Sequence, residues 1–217
     1  MSVNGKSIFE ALGFASQVYQ ECHTLADVLI QSLGELLNEP EISSQYKVAE
    51  KKPRRGLRWQ EDEGAYLYHS LAHSLPLTRG EEDTTEFYLF FQISLAGDGM
   101  RTDQNQEPLL HIGLWEDEIN FVEQCYMGFP LTEPHDVEEN VLLRWDQQWL
   151  YSLRLFSINN STDIATKIIG PVRELLMGRD AKQALPKTLE GLARYSRATG
   201  LDEQYDYHLS FQEDSRL

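Results

Sequence analysis

Cysteine is nearly missing from this chain of 217 residues: Cys22 and Cys125 stand far apart and form no Cys-x-x-Cys pair. That excludes a disulfide framework and reads as two reduced, buried thiols of a cytoplasmic protein. No apolar run approaches the roughly 20 residues that a membrane span requires. The first six residues, Met1 to Lys6, hold neither the basic flank nor the apolar stretch of a secretory signal. Basic side chains are also short, with 19 Lys and Arg against 35 Asp and Glu and a formal net charge of −16. Signatures of catalysis are scarce as well. There is no Gly-x-Ser-x-Gly elbow, and Gly97-Asp98-Gly99 lacks the lysine and hydroxyl that follow in a phosphate loop.

What remains is ample for a core. Hydrophobic residues at 41% and aromatics at 11% fit a folded chain and not a disordered one. The clearest element is the stretch from Glu86 to Leu95. Phe87, Leu89, Phe91, Ile93 and Leu95 share one parity, and Tyr88, Phe90, Gln92 and Ser94 the other. Alternation across a strand makes one face wholly apolar and the second half apolar, so both need cover. Further strands are predicted at 109–115, 119–126, 141–145 and 149–158. Short polar links such as Glu116-Asp117-Glu118 and Asp146-Gln147-Gln148 join them as an antiparallel meander.

A long helix is predicted over residues 7–38, opened by a Ser7-x-x-Glu10 capping box and stopped by Asn38 and Pro40. Its stripe is Ile8, Leu12, Ala15, Tyr19, Cys22, Ala26, Leu29, Leu33 and Leu36. Gly13, Gly34 and the off-stripe Phe9 and Phe14 favour packing on the sheet over a coiled-coil homodimer. Residues 39–63 read as a charged connector. Residues 64–77 lean to helix through Leu67, Leu71 and Leu75, ending at Pro76. Asn159 to Asp163 cap a helix striped by Ile164, Ile168, Val172, Leu175 and Leu176, kinked at Gly170-Pro171. Another helix is predicted from Pro186 to about Arg197. The tail, 201–217, alternates Tyr205, Tyr207, Leu209 and Phe211 with polar residues and reads as an edge strand. The expected architecture is one α+β domain: an antiparallel sheet of five or six strands with a long N-terminal helix and C-terminal helices packed on it.

Candidate chemistry sits at few places. His69 and His73, one turn apart if helical, would share a face and offer two metal ligands, although Ser70 stands where a zincin has glutamate. Asp98, Asp103, Asn105 and Glu107 imitate the start of a calcium loop, but Pro108 and Leu114 occupy positions that need glycine and glutamate. His111 lies opposite in parity to Leu110 and Ile112, as a satisfied histidine on the less buried face or in a cleft with His69 or Glu116. Trp145 and Trp149 flank a turn, where indoles serve as partner anchors.

The acid surplus is local. Residues 64–150 carry three bases and sixteen acids, net −13; residues 1–38 carry −3, and 39–63 and 151–217 each balance. Such a field repels phosphates and anionic lipids and attracts basic proteins, which argues against direct nucleic-acid binding through the basic run 47–58. The leading expectation is therefore a non-enzymatic, cytoplasmic, microbial interaction protein binding a basic protein partner, of inhibitor, immunity-protein, chaperone or adaptor type. Its contact residues would be Glu116, Asp117, Glu118, Asp136, Glu138, Glu139, Trp145 and Trp149, with no cofactor. A metal-assisted hydrolase using His69, His73 and loop carboxylates, and a DNA-mimic inhibitor, are the alternatives.

Overall fold

A computed structural model of the chain describes residues 4–49, 54–59, 68–79, 86–95, 101–102, 107–116, 134–197 and 207–211. Helix α1 (Gly5–Leu37) is followed by the short α2 (Pro40–Ser43). The strands are β1 (Tyr46–Val48), β2 (Arg54–Trp59), β3 (Tyr68–Arg79), β4 (Phe87–Ser94), β5 (Arg101–Thr102), β6 (Leu109–Trp115), β7 (Asp136–Glu138), β8 (Leu142–Trp145) and β9 (Gln148–Arg154). A helical stretch then runs through α3 (Ser161–Ile164), a π turn (Ala165–Ile169) and α4 (Gly170–Leu176). After α5 (Ala181–Ala184) come β10 (Ala193–Arg197) and β11 (Tyr207–Phe211).

The main sheet is antiparallel, ordered β1-β3-β4-β6-β9-β8-β7, with β2 also on β3. That makes seven positions across, not five or six. The predicted connector 39–63 supplies two of the added strands: β2 pairs with Ser70 to Ser74 of β3, and β1 with Leu77 to Arg79. The basic run thus joins, through its backbone, the acidic segment beside it in sequence. Residues 68–79 are strand and not helix. Leu71 and Leu75, four apart, lie on one face of either structure, so their spacing does not discriminate. Pro76 lies between the residues of β3 that face β2 and those that face β1, and its carbonyl accepts from the Ala49 amide. A residue without an N–H is tolerated where the outer ladder changes partner.

The first sheet face carries Leu71, Leu75, Leu77, Leu89, Phe91, Ile93, Leu110, Ile112, Leu114, Trp149, Tyr151 and Leu153. On it pack Cys22, Ala26, Leu29, Leu33 and Leu36 of α1 and Ile164, Ile168, Val172, Leu175 and Leu176 of the C-terminal helices. Each fully buried leucine contributes about 2 kcal/mol. Cys22 is a buried thiol; Cys125 lies outside the described residues. Capping of α1 starts earlier than the Ser7 box: Asn4 accepts from the Ser7 amide, and Glu10 pairs with Lys6 instead. No described helix is long and apolar enough to cross a membrane.

The kink expected at Gly170-Pro171 takes the form of the π turn before it. Pro171 cannot donate to the carbonyl four residues earlier, that of Lys167. The Tyr151 hydroxyl, rising from the sheet, donates to the Lys167 and Ile168 carbonyls at 3.3 and 3.4 Å. Lys167 is itself buried and donates to the Ser157 carbonyl at 2.6 Å, beside Asp163 at 3.1 Å and Glu190 at 3.2 Å. Gly178, at φ +77°, closes α4.

Two expectations fail in the C-terminal part. The helix predicted from Pro186 to Arg197 is a turn followed by β10. The tail strand is not an edge of the main sheet but the middle of a second one, β10-β11-β5, antiparallel to β10 and parallel to β5. Ala193 and Tyr195 alternate with Arg194 and Ser196, a strand pattern that the proline start obscured. Ala193, Tyr195, Tyr207 and Leu209 bury the second face of the main sheet, against Ala72, Phe90, Leu109, Leu143 and Leu150. The strand predicted at 119–126 lies outside the described residues. A short strand on the far edge, β7, carries Asp136 and Glu138 where no strand was predicted. Its turn to β8 uses Glu139 and Asn140, both at positive φ (50° and 61°).

Candidate functional site

Antiparallel order brings one set of strand ends together. The C-terminal ends of β3, β6 and β8 and the N-terminal ends of β4, β9 and β7 share one end of the main sheet. Glu86, Glu116, Asp136 and Asp146 therefore lie there, the last three exposed and Glu86 half-buried. Arg79 at the same end is held by Gln147 and lies over the Tyr46 ring, and His135 stands 3.4 Å from Asp146. The backbone amide of Glu116 donates to the Gln148 side chain at 3.2 Å, which ties β6 to the β8–β9 turn.

Of the predicted contact residues, then, Glu116 and Asp136 face solvent at this end; Asp117 and Glu118 lie outside the described residues. Glu138 and Glu139 are committed internally. Glu138 binds Arg144 at 2.6 Å and accepts from the Ala181 amide at 2.9 Å, anchoring the start of α5. Glu139 binds Lys187 at 2.8 Å, and that hydrogen bond holds its carboxyl below the usual range. The tryptophans correct the sequence reading outright. Trp145 is 4% exposed and Trp149 1%, so neither indole is a surface anchor. Trp145 packs edge-on against Trp115, with centroids 5.1 Å apart. Trp149 alternates onto the helix-covered face beside Tyr151. A strand flanking a two-residue turn exposes the turn and buries its flanks when both sheet faces are covered.

The histidines also change meaning. In a strand, His69 and His73 share parity but stand about 13 Å apart along the backbone, not one helical turn. His73 is buried and stacks on Phe91, with centroids 5.9 Å apart. Among the described residues no three His, Cys, Asp or Glu side chains gather at metal-binding range. Asp98, Asp103 and Asn105 lie outside the described residues, whereas Glu107 is 3.5 Å from Arg154.

His111 is fully buried and not on a less buried face, because the second sheet covers it. Its Nδ1 lies 2.7 Å from Ser152 Oγ, and the Tyr195 hydroxyl donates to the same oxygen at 2.7 Å. Burial pushes His111 down to about 3 and Tyr195 upward, so both side chains are neutral at pH 7. A serine beside a histidine has the elements of a nucleophile and base. Sealed between two sheets, this pair instead belongs to a buried polar row, Gln92-His111-Ser152, that crosses β4, β6 and β9 in register. Sequence reading missed Ser152 and Tyr195: strand register brings the first to His111, and the packing of the second sheet brings the second to Ser152.

A second exposed feature lies at the other end of α1. Residues from Cys22 onward enter the core, but Ile8, Phe9, Leu12 and Phe14 are 49, 78, 63 and 70% exposed. Where the helix meets the body, a cleft of about 720 Å³ opens between α1 and α3, with Leu25, Val28 and Ile164 below amides of Gln17, Gln20 and Asn160. Comparison with family models, with curated proteins and with solved structures finds no match for this chain.

Proposed function

We propose that this chain is a non-enzymatic, cytoplasmic interaction protein whose acidic sheet end receives a basic protein partner, as an inhibitor, immunity protein, chaperone or adaptor does. The observation that carries the reading is the gathering of Glu86, Glu116, Asp136 and Asp146 at one end of the sheet. Support comes also from the charge total. With 35 acids and 19 bases, at least sixteen carboxylates have no base of their own. Among the described residues Arg144, Arg154, Lys167, Arg173, Arg179 and Lys187 are each already beside a carboxylate. The surplus then acts outward, speeding encounter with a cationic surface more than it strengthens the final complex.

The test is capture from lysate of the source cells over a salt series, with the native chain and a Glu116→Lys, Asp136→Lys, Asp146→Lys variant as baits. A basic protein held at low salt by the native chain and lost by the variant supports the proposal. Recovery of no basic protein at any ionic strength, or equal recovery on both baits, contradicts it. A captured nucleic-acid-binding enzyme that duplex DNA displaces would narrow the function to DNA mimicry.

A further inference from the structure

The stripe of α1 does not stop where its own body ends. Ile8, Leu12 and Ala15 continue, at the same spacing of four and three, the line of Tyr19, Cys22, Ala26 and Leu29 that becomes core. Over residues 4–14 every side chain is exposed, so this apolar seam is built but uncovered. A helical segment of about 15 residues is marginal in water without a packed face, and this one carries two phenylalanines in the open.

We propose that a second copy of the chain covers this seam, two α1 helices pairing through Ile8, Leu12 and Ala15, with Phe9 on the flank of the stripe. Area is the first argument. Ile8, Phe9, Leu12 and Ala15 offer roughly 350 Å² per copy, or about 700 Å² in a pair, the size of a weak, transient contact between copies. Charge is the second. A molecule of net charge −16 repels its own copy over most of its surface, yet residues 4–18 hold one base and one acid, Lys6 and Glu10, which face each other at 3.7 Å. This near-neutral segment is where two acidic copies can meet without like-charge repulsion. A basic protein gains nothing electrostatic there, and a lipid surface calls for flanking Lys and Arg that the segment lacks.

The pairing goes beyond the sheet-end reading and uses a different surface, so the two fail separately. Sedimentation equilibrium of the full chain is the experiment, run from about 1 to 100 μM, with Leu12→Glu and with Phe9→Ser. The native chain should shift from 25.0 kDa toward twice that mass. Both variants should associate at least tenfold more weakly, with unchanged circular dichroism and melting temperature in the monomer range. A native chain that stays at 25.0 kDa throughout overturns the proposal. So does a pair of variants that sediments like the native chain, or a monomer that co-sediments with phosphatidylcholine vesicles.

Discussion

Phe90 lies across Gly113. A Cβ at Gly113 would meet Phe90 ring carbons at 2.7 and 2.8 Å and the Trp149 carbonyl at 2.7 Å. The glycine in the middle of β6 thus lets an aromatic side chain on the neighbouring strand fill the layer between the sheets. Gly113→Ala should overpack that layer and cost about 1–3 kcal/mol in urea unfolding. Unchanged stability would mean that the ring rests elsewhere.

Tyr151 and Pro171 form a comparable pair. Removing the hydroxyl leaves the carbonyls of Lys167 and Ile168 without the donor that reaches them from the sheet. Tyr151→Phe should cost about 1–2 kcal/mol, measured by the same unfolding curves. Since the ring stays, a loss near zero would show that the π turn is satisfied without it.

The two halves of α1 should answer the same substitution differently. Leu33, 1% exposed under the sheet, should lose about 2–5 kcal/mol on change to alanine. Leu12, on the same stripe but 63% exposed, should lose less than about 0.5 kcal/mol when measured at monomer concentrations. Equal losses would mean that the body covers the whole helix.

Acid should weaken the fold before the carboxylates titrate. His111 stays neutral when folded, with its pKa at about 3, while in the unfolded chain it takes a proton near the ordinary value of 6.5. The unfolded state therefore binds more protons between those values, and stability is complete above about 6.5 and falls as pH drops toward 3, by up to about 1.4 kcal/mol per unit. Glu39 and Asp163, whose carboxyls are lowered by Arg173 and by the Asn159 amide with Lys167, add their loss at lower pH. Unfolding free energies at pH 7, 6 and 5 for the native chain and His111→Gln should show the slope in the first and a flatter line in the second. Parallel slopes would assign it to another group.

The legible parts of the fold were those with a single period. Phe87 to Ser94 could only alternate, and Ile164 to Leu176 could only wind. The misread parts carried compatible patterns for two structures. Leu71 and Leu75 share a face in helix and strand alike, and Pro186 imitated a helix start ahead of β10. Basic residues hid β2, since Arg54, Arg55 and Arg58 on an edge strand look like a solvated link. The candidate site was legible only as charge. Glu116 and Asp136 were found, but strand order alone brings Glu86 and Asp146 beside them, and two covered sheet faces alone bury Trp145 and Trp149.

The acidic sheet end can be tested without knowing the partner. A short polylysine peptide, titrated at about 0.15 M salt to screen distant charges, should move the backbone amide resonances of Trp115, Glu116, His135, Asp136, Asp146 and Gln147 first and furthest. Shifts spread evenly over the molecule, or centred on α1, would contradict the account.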